Sequence, residues 1–124
     1  MEDTILLAKQ EVSFDFLFFF KPVANNFLER GFEMGTKLIL ARHGETNWNK
    51  QSRFQGNKDV ELNKTGIDQA KKLAERLANL HIDVIYSSDL ARAKKTARVV
   101  AQNHNLDVNV KTELQEINFG VWEG

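Results

Sequence analysis

A chain of 124 residues with 42% hydrophobic and 27% charged residues has the size and balance of one modest globular domain, which argues against disorder. Seventeen basic residues match seventeen acidic ones with no long basic run, so the electrostatic footprint of a general nucleic-acid binder is missing and nucleic acid is not an expected partner. The absence of cysteine excludes a disulfide framework, a thiolate zinc site and a cysteine nucleophile, and fits a reducing, cytoplasmic setting.

The segment before Met34 differs from the rest. It holds seven of the nine phenylalanines and six acidic against three basic residues, so the composition changes near Met34. The most apolar stretch, "VSFDFLFFFK" from Val12, is too short to cross a bilayer and carries Asp15 inside it. A secretory signal wants a basic start, but Glu2 and Asp3 come first and the phenylalanine run ends at Lys21 and Pro22. No membrane partner is expected. Three readings fit residues 1–33: an extra segment packing on the domain, a membrane-surface anchor, or translated sequence upstream of a true start at Met34. The last is preferred, because Met34 directly precedes the first regular strand, and the domain proper is then 34–124.

From there the periodicity is regular. "KLILA", residues 37–41, reads as a nearly continuous apolar strand of the kind buried on both faces. After a polar loop, Ile67, Ala70, Leu73, Ala74 and Leu77 recur at helical spacing, with Asn63 and Thr65 as candidate caps. "IDVIYSS", residues 82–88, is a second strand. A helix over about 89–103 follows, its apolar face holding Leu90, Ala93, Ala97, Val100 and Ala101, and "LDVNVK", residues 106–111, alternates like a third strand. Strand, helix, strand, helix, strand predicts an α/β domain with a mostly parallel sheet.

Ligand sites in open α/β sheets gather beyond the carboxyl ends of strands, and the first strand ends in "LILARHGETNWN". Arg42 and His43 stand there. Gly44 removes a Cβ where backbone must approach a ligand, and Glu45, Thr46, Asn47 and Asn49 add polar groups around the turn. An isolated Arg-His-Gly is more often an ordinary polar loop, so the second strand end matters. "YSSDLARAKKTA" leaves that strand through hydroxyl residues and puts Arg92 in the first turn of a helix, where a cation opposes the helix dipole by about a few tenths of a kcal/mol unless an anion lies beside it. A solvated surface position, as for Lys94 and Lys95, is the alternative. Together Arg42 and Arg92 suit a phosphoryl group, whose oxygens guanidinium forks can grip. The last residues, "ELQEINFGVWEG", set carboxylates beside Phe119 and Trp122, and Glu116 is the candidate general acid over Glu113 and Glu123. Phe119 and Trp122 read as core residues, and Glu123, next to Gly124, reads as solvated. His81, between helix and strand, and His104, in the polar "QNHN" turn, read as structural or exposed.

In this order and spacing, "RHGETNWN", "RFQG", "LNKTGIDQA", "YSSDLARAKKTA" and "ELQEINFGVWEG" resemble the histidine phosphatase superfamily, also called phosphoglycerate mutase-like, over about residues 37–124. The resemblance implies a three-layer α/β/α fold, His43 as the phosphorylated nucleophile, Arg42 and Arg92 as phosphate holders, and Glu116 as proton donor to the leaving oxygen. It also implies that Gly44, Glu45, Thr46, Asn49, Gln55 and Gly56 line the substrate or phosphate pocket. The expected ligand is a small-molecule phosphomonoester, with no cofactor and no metal. The chemistry agrees: a neutral imidazole can attack phosphorus in line, and two nearby guanidinium charges would keep His43 unprotonated and neutralise the phosphoryl oxygens.

The family pattern also includes a second pocket histidine after a later strand, which does not occur before Gly124. The chain therefore resembles the N-terminal portion of a longer enzyme: a truncated gene product, a fragment, or a protein completed by another chain. Three functions stay open. A phosphomonoester hydrolase is favoured by "ELQEINFGVWEG"; a phosphoglycerate mutase would carry substrate-binding insertions, none of which occurs between Arg92 and Glu116; a non-catalytic phosphate-binding remnant is the third.

Overall fold

The computed structural model describes residues 16–23 and 35–124; the Met34 boundary and the rest of the leader before it lie outside the described residues. The fold class is α/β. In chain order the elements are β1 (Phe16–Val23), β2 (Gly35–Arg42), a short α1 (Asn47–Lys50), α2 (Lys64–Leu77), β3 (Val84–Ser87), α3 (Ala91–His104) and β4 (Val108–Val110), followed by 3-10 turns at Thr112–Leu114 and Gly120–Trp122.

The four strands form one sheet in the order β2-β1-β3-β4. β1 runs antiparallel to both β2 and β3, and β3 pairs parallel with β4. The three strands expected from sequence therefore share one direction and deliver their carboxyl ends to one side, but the sheet as paired is mixed. The difference comes from residues 16–23, a phenylalanine-rich run in which the sequence reading places no strand, although aromatic residues favour a pleated surface. Pro22 lies beyond Phe18–Phe20, the stretch paired to β3, so its missing N–H is not demanded there.

α2 begins where the sequence placed it. Asn63 is the N-cap, its side chain accepting from the Gly66 amide at 2.8 Å, and Ala70, Ala74 and Leu77 form the buried stripe. α3 starts slightly later than expected, at Ala91, and runs through His104 to an αL cap at Asn105 (φ 52°), so His104 belongs to the last helical turn rather than to a loop. Asn is among the few residues that adopt this conformation readily. The alanine-rich faces of α2 and α3 let the two helices meet closely over Ile82, Ile85 and the half-buried Ile39, Ala41 and Val108.

Both helices cover the same face of the sheet. Leu38 and Leu40, on the other face of β2, stay 46% and 51% exposed, so the strand is buried on one face instead of two. Of the expected three layers, the sheet and one helical layer lie among the described residues. No helix among them is long and apolar enough to cross a membrane.

Candidate active site

His43 follows directly on β2 and is 6% exposed. Its Nδ1 lies 2.6 Å from the Gly44 carbonyl oxygen, which can only accept, so the ring proton sits on Nδ1. The lone pair is thereby on Nε2, a buried atom with no hydrogen-bond partner among the described residues. The imidazole pKa is lowered from 6.5 to about 4, first by burial and then by the Arg92 and Arg42 charges, while the Gly44 hydrogen bond pulls the other way. Burial thus outweighs the two guanidinium groups that sequence reasoning made responsible. A basic nitrogen that stays neutral over the physiological range is what a nucleophile requires.

Arg92 is fully buried in the first turn of α3. Nη1 donates to the Lys58 carbonyl and Nη2 to the Gly56 carbonyl, each at 2.7 Å, which fixes the guanidinium plane against the loop after α1. The helix itself lacks a side-chain cap of its own, because its N-cap is Leu90; Asp59 supplies one from that loop, accepting from the Ala91 amide at 2.6 Å. An anion therefore stands at the N-terminus that Arg92 would otherwise burden. Arg42, by contrast, is exposed at the end of β2.

Thr96, one turn beyond Arg92, ties the two strand ends together. Its hydroxyl accepts from the Gly44 amide at 3.1 Å and donates to the Arg92 carbonyl at 2.8 Å. Gly44 serves a close approach, but to protein: a Cβ there would run into the carbonyl of Gly66 in the first turn of α2, and a Cβ on Gly66 would run into Glu45. Glu45 is held by the N-terminal part of the same helix, its carboxylate accepting from the N-cap Asn63 Nδ2 and its amide donating to Gln69 Oε1, both at 2.8 Å.

The other residues singled out from sequence form a supporting network. Thr46 caps α1 reciprocally with Asn49, and its hydroxyl donates to Gln55 Oε1 at 2.6 Å, with Thr46 and Gln55 both buried. Gly56, at φ 48°, contributes the carbonyl that Arg92 grips. Glu116 is buried. Its segment is pinned beside the β3–α3 connection, through Lys111 N to the Ser87 carbonyl at 2.9 Å and Gln115 Nε2 to Asp89 Oδ1 at 2.6 Å.

Two expectations about the C-terminal segment change. Glu123 is half-buried rather than solvated, its Oε1 accepting from the Asn57 and Phe119 amides at 3.0 Å each. Trp122, read as core, is 69% exposed, whereas Phe119 stacks at a tilt on Phe54 with ring centres 5.3 Å apart. Sequence reasoning missed Asp59, Thr96 and Glu123. Thr96 carried a local signal, since a threonine one helical turn after Arg92 can bond back to its carbonyl; Asp59 finds its partner 32 residues away, and Glu123 finds one 66 residues away besides Phe119, four residues before it. Among the described residues, no group of three or more His, Cys, Asp or Glu side chains is arranged to hold a metal ion.

Among the described residues, strands that deliver His43 and the α3 N-terminus to one edge beneath a helical layer describe an α/β protein of phosphoglycerate mutase-like fold. The chain belongs to the histidine phosphatase superfamily (branch 1), whose family model matches residues 38–124. Phosphoserine phosphatase 1 of Hydrogenobacter thermophilus is 47% identical over 88 residues, covering 71% of this chain and 42% of that protein. The probable phosphoglycerate mutase GpmB of Salmonella choleraesuis is 42% identical over 87 residues, covering 70% and 40%. Among solved structures, mycobacterial glucosyl-3-phosphoglycerate phosphatase in complex with VO3 superposes with a TM-score of 0.63 at 41% identity, over 66% of this chain and 39% of that one. The phosphoserine phosphatase of Entamoeba histolytica in complex with 3-phosphoglyceric acid gives 0.61 at 43% identity, over 66% and 40%. The chain spans about two fifths of the length of these relatives.

Proposed function

We propose that this chain carries the nucleophile half of a phosphomonoester hydrolase working through a phosphohistidine. The observation that carries the reading is the state of His43: proton on Nδ1, Nε2 without a hydrogen-bond partner among the described residues, and a pKa near 4 beside two arginine charges. In the first step Nε2 attacks phosphorus, the N–P bond forms and the P–O ester bond breaks, while Arg92 and Arg42 balance the charge on the phosphoryl oxygens. Glu116 delivers its proton to the departing alkoxide. The cationic phosphoimidazole keeps its Nδ1–H on the Gly44 carbonyl, so the charge gained on phosphorylation meets an oriented dipole. In the second step water attacks phosphorus, the N–P bond breaks, and the Glu116 carboxylate takes the water's proton.

The substrate class is a small phosphate ester. Relatives named for phosphoserine and for glucosyl-3-phosphoglycerate, and a complex with 3-phosphoglyceric acid, support esters that carry a carboxylate. A cytoplasmic location is part of this reading, supported by the cysteine-free sequence. The mutase alternative rests on the resemblance to the probable phosphoglycerate mutase and differs only in the acceptor of the second step.

The test is a single-turnover reaction with p-nitrophenyl phosphate, quenched in alkali to preserve phosphohistidine and mapped by mass spectrometry. A label on His43 that disappears in His43→Ala is expected, and Glu116→Gln should slow poor alcohol leaving groups more than the activated phenol. Release of inorganic phosphate, without transfer to added glycerate phosphates, separates hydrolase from mutase. A label on another residue would overturn the nucleophile assignment.

A further inference from the structure

We propose that Glu123 is a positioning residue for Arg92, acting through the single peptide group that joins Gly56 to Asn57. The carbonyl of that peptide accepts from Arg92 Nη2 at 2.7 Å, and its amide, on Asn57, donates to Glu123 Oε1 at 3.0 Å. The two ends of one rigid planar unit are thus held by a cation and by a carboxylate. A carboxylate accepting at the N–H end polarises the unit and makes the carbonyl oxygen a stronger acceptor for the guanidinium, so each bond reinforces the other.

The local backbone is shaped for this contact. Gly56 sits in the left-handed region at φ 48°, and a Cβ there would collide with the Glu123 carboxylate, so only glycine lets the acid reach the peptide. Oε1 is also fixed by the Phe119 amide at 3.0 Å, and Gly124 N donates to the Phe54 carbonyl at 3.0 Å. The Phe54–Phe119 contact closes the segment over residues 54–57 from the side. Lys58, whose carbonyl takes the other Arg92 nitrogen, is itself anchored through its amide to the Gln55 carbonyl at 2.9 Å. Arg92 is therefore oriented by a loop whose own conformation depends on an acid from a different part of the chain, beyond β4. The hydrogen bonds of Glu123 Oε1 go to the Asn57 and Phe119 amides, and its effect on binding rests on the phosphate reading above.

The experiment uses the 124-residue chain and two readouts. The first is the Arg92 guanidinium ¹⁵N–¹H signals, which a side chain fastened at both Nη atoms shows as resolved, slowly exchanging resonances; the second is the Kd for inorganic phosphate. Glu123→Ala is expected to collapse the Arg92 signals into exchange and to weaken phosphate at least tenfold. Glu123→Gln, which keeps a carbonyl acceptor on the same stem, should retain both within about threefold, a rescue that loss of bulk packing would not give. In an Arg92→Ala background, Glu123→Ala should weaken phosphate no further, because the two act as one unit. If Glu123→Ala fails to fold, Glu123→Asp withdraws the carboxylate by one methylene and is read the same way. Unchanged Arg92 signals in a folded Glu123→Ala or Glu123→Asp chain would overturn the proposal, and so would an equal loss of phosphate affinity with and without Arg92. If the Arg92 signals respond as expected but no form of the chain binds phosphate, the brace stands and the phosphate assignment fails.

Discussion

The two arginines expected to hold a phosphate stand on walls of different construction. Arg92 is fully buried, fastened to two carbonyls of residues 56–58, with its helix capped by Asp59 and its loop braced by Glu123. Arg42 is exposed at the end of β2, a strand whose one ladder among the described residues is to β1, with Phe16 opposite Arg42 itself. One wall is built before a ligand arrives; the other presents a solvated charge on a strand that depends on its neighbour. His43 sits where they meet, joined to the first by the Gly44–Thr96 hydrogen bond and to the second by the chain. Preorganisation of this kind lowers the ordering cost of binding on the Arg92 side only.

The largest effect belongs to the weaker wall. Deletion of residues 1–33 removes eight paired positions with β2 and three with β3 from the interior of the sheet. Lost ladder bonds and newly exposed edges of this extent amount to something on the order of 5 kcal/mol, comparable to the whole stability of a small domain. We propose that the deleted form loses its cooperative melt, whereas a start at Met34 with a foreign leader requires an unchanged one. Thermal unfolding of both forms by circular dichroism decides between them.

Next comes the buried cation. Arg92→Ala is expected to weaken inorganic phosphate or vanadate by the about 2 to 5 kcal/mol typical of truncating a buried charged partner, which is roughly thirtyfold to several thousandfold. Lys94→Ala and Lys95→Ala, a half-buried and an exposed lysine on the same helix, should stay within about twofold. Similar losses at all three positions, measured by calorimetry, would replace a built pocket with a diffuse basic surface.

How far the sequence revealed this arrangement follows from the range of the interactions. The Asn63 cap and the apolar stripe of α2 rest on residues a few positions apart, where periodicity exposes them, and the shared direction of β2, β3 and β4 follows from the alternation of strands and helices. His43, Arg42 and Arg92 were legible because strand ends are legible. β1 was not: an acidic, phenylalanine-rich run bounded by a proline reads equally as leader or strand until its partners are known. Nor was the purpose of Gly44, which makes room for Gly66 in the first turn of α2, the partner of Asp59, or the reach of Glu123 to the Asn57 amide. Each depends on a backbone group presented by a separate loop or turn, and one-dimensional spacing carries no trace of that.

The junction of the two walls has its own pH signature. Because the His43 pKa lies near 4 in the fold and near 6.5 when unfolded, the unfolded chain binds a proton between those values that the native chain does not. Stability from this group is complete above pH 6.5 and falls as the pH drops towards 4, by on the order of 3 kcal/mol in all. His43→Gln should remove that portion of the acid loss in urea titrations, and the His43 Cε1 resonance should show a neutral ring down to about pH 4. A midpoint near 6.5 would mean that the ring is not buried between the arginines.

The smallest expected effect tests the exposed side. Arg42 must give up side-chain freedom and bulk solvation to grip an anion, so its contribution should lie near the lower end for a charged hydrogen bond, about 1.5 kcal/mol, or tenfold in phosphate Kd for Arg42→Ala. An exposed charge is also screened by salt, with a Debye length shrinking to about 3 Å at 1 M, whereas a buried one is much less so. Raising the ionic strength should therefore erase most of the difference between wild type and Arg42→Ala while leaving most of the Arg92→Ala deficit in place. If both deficits fade in parallel, both arginines meet the phosphate in water and the contrast between the walls is lost; if neither fades, the ligand itself buries Arg42, and the second wall is completed on binding.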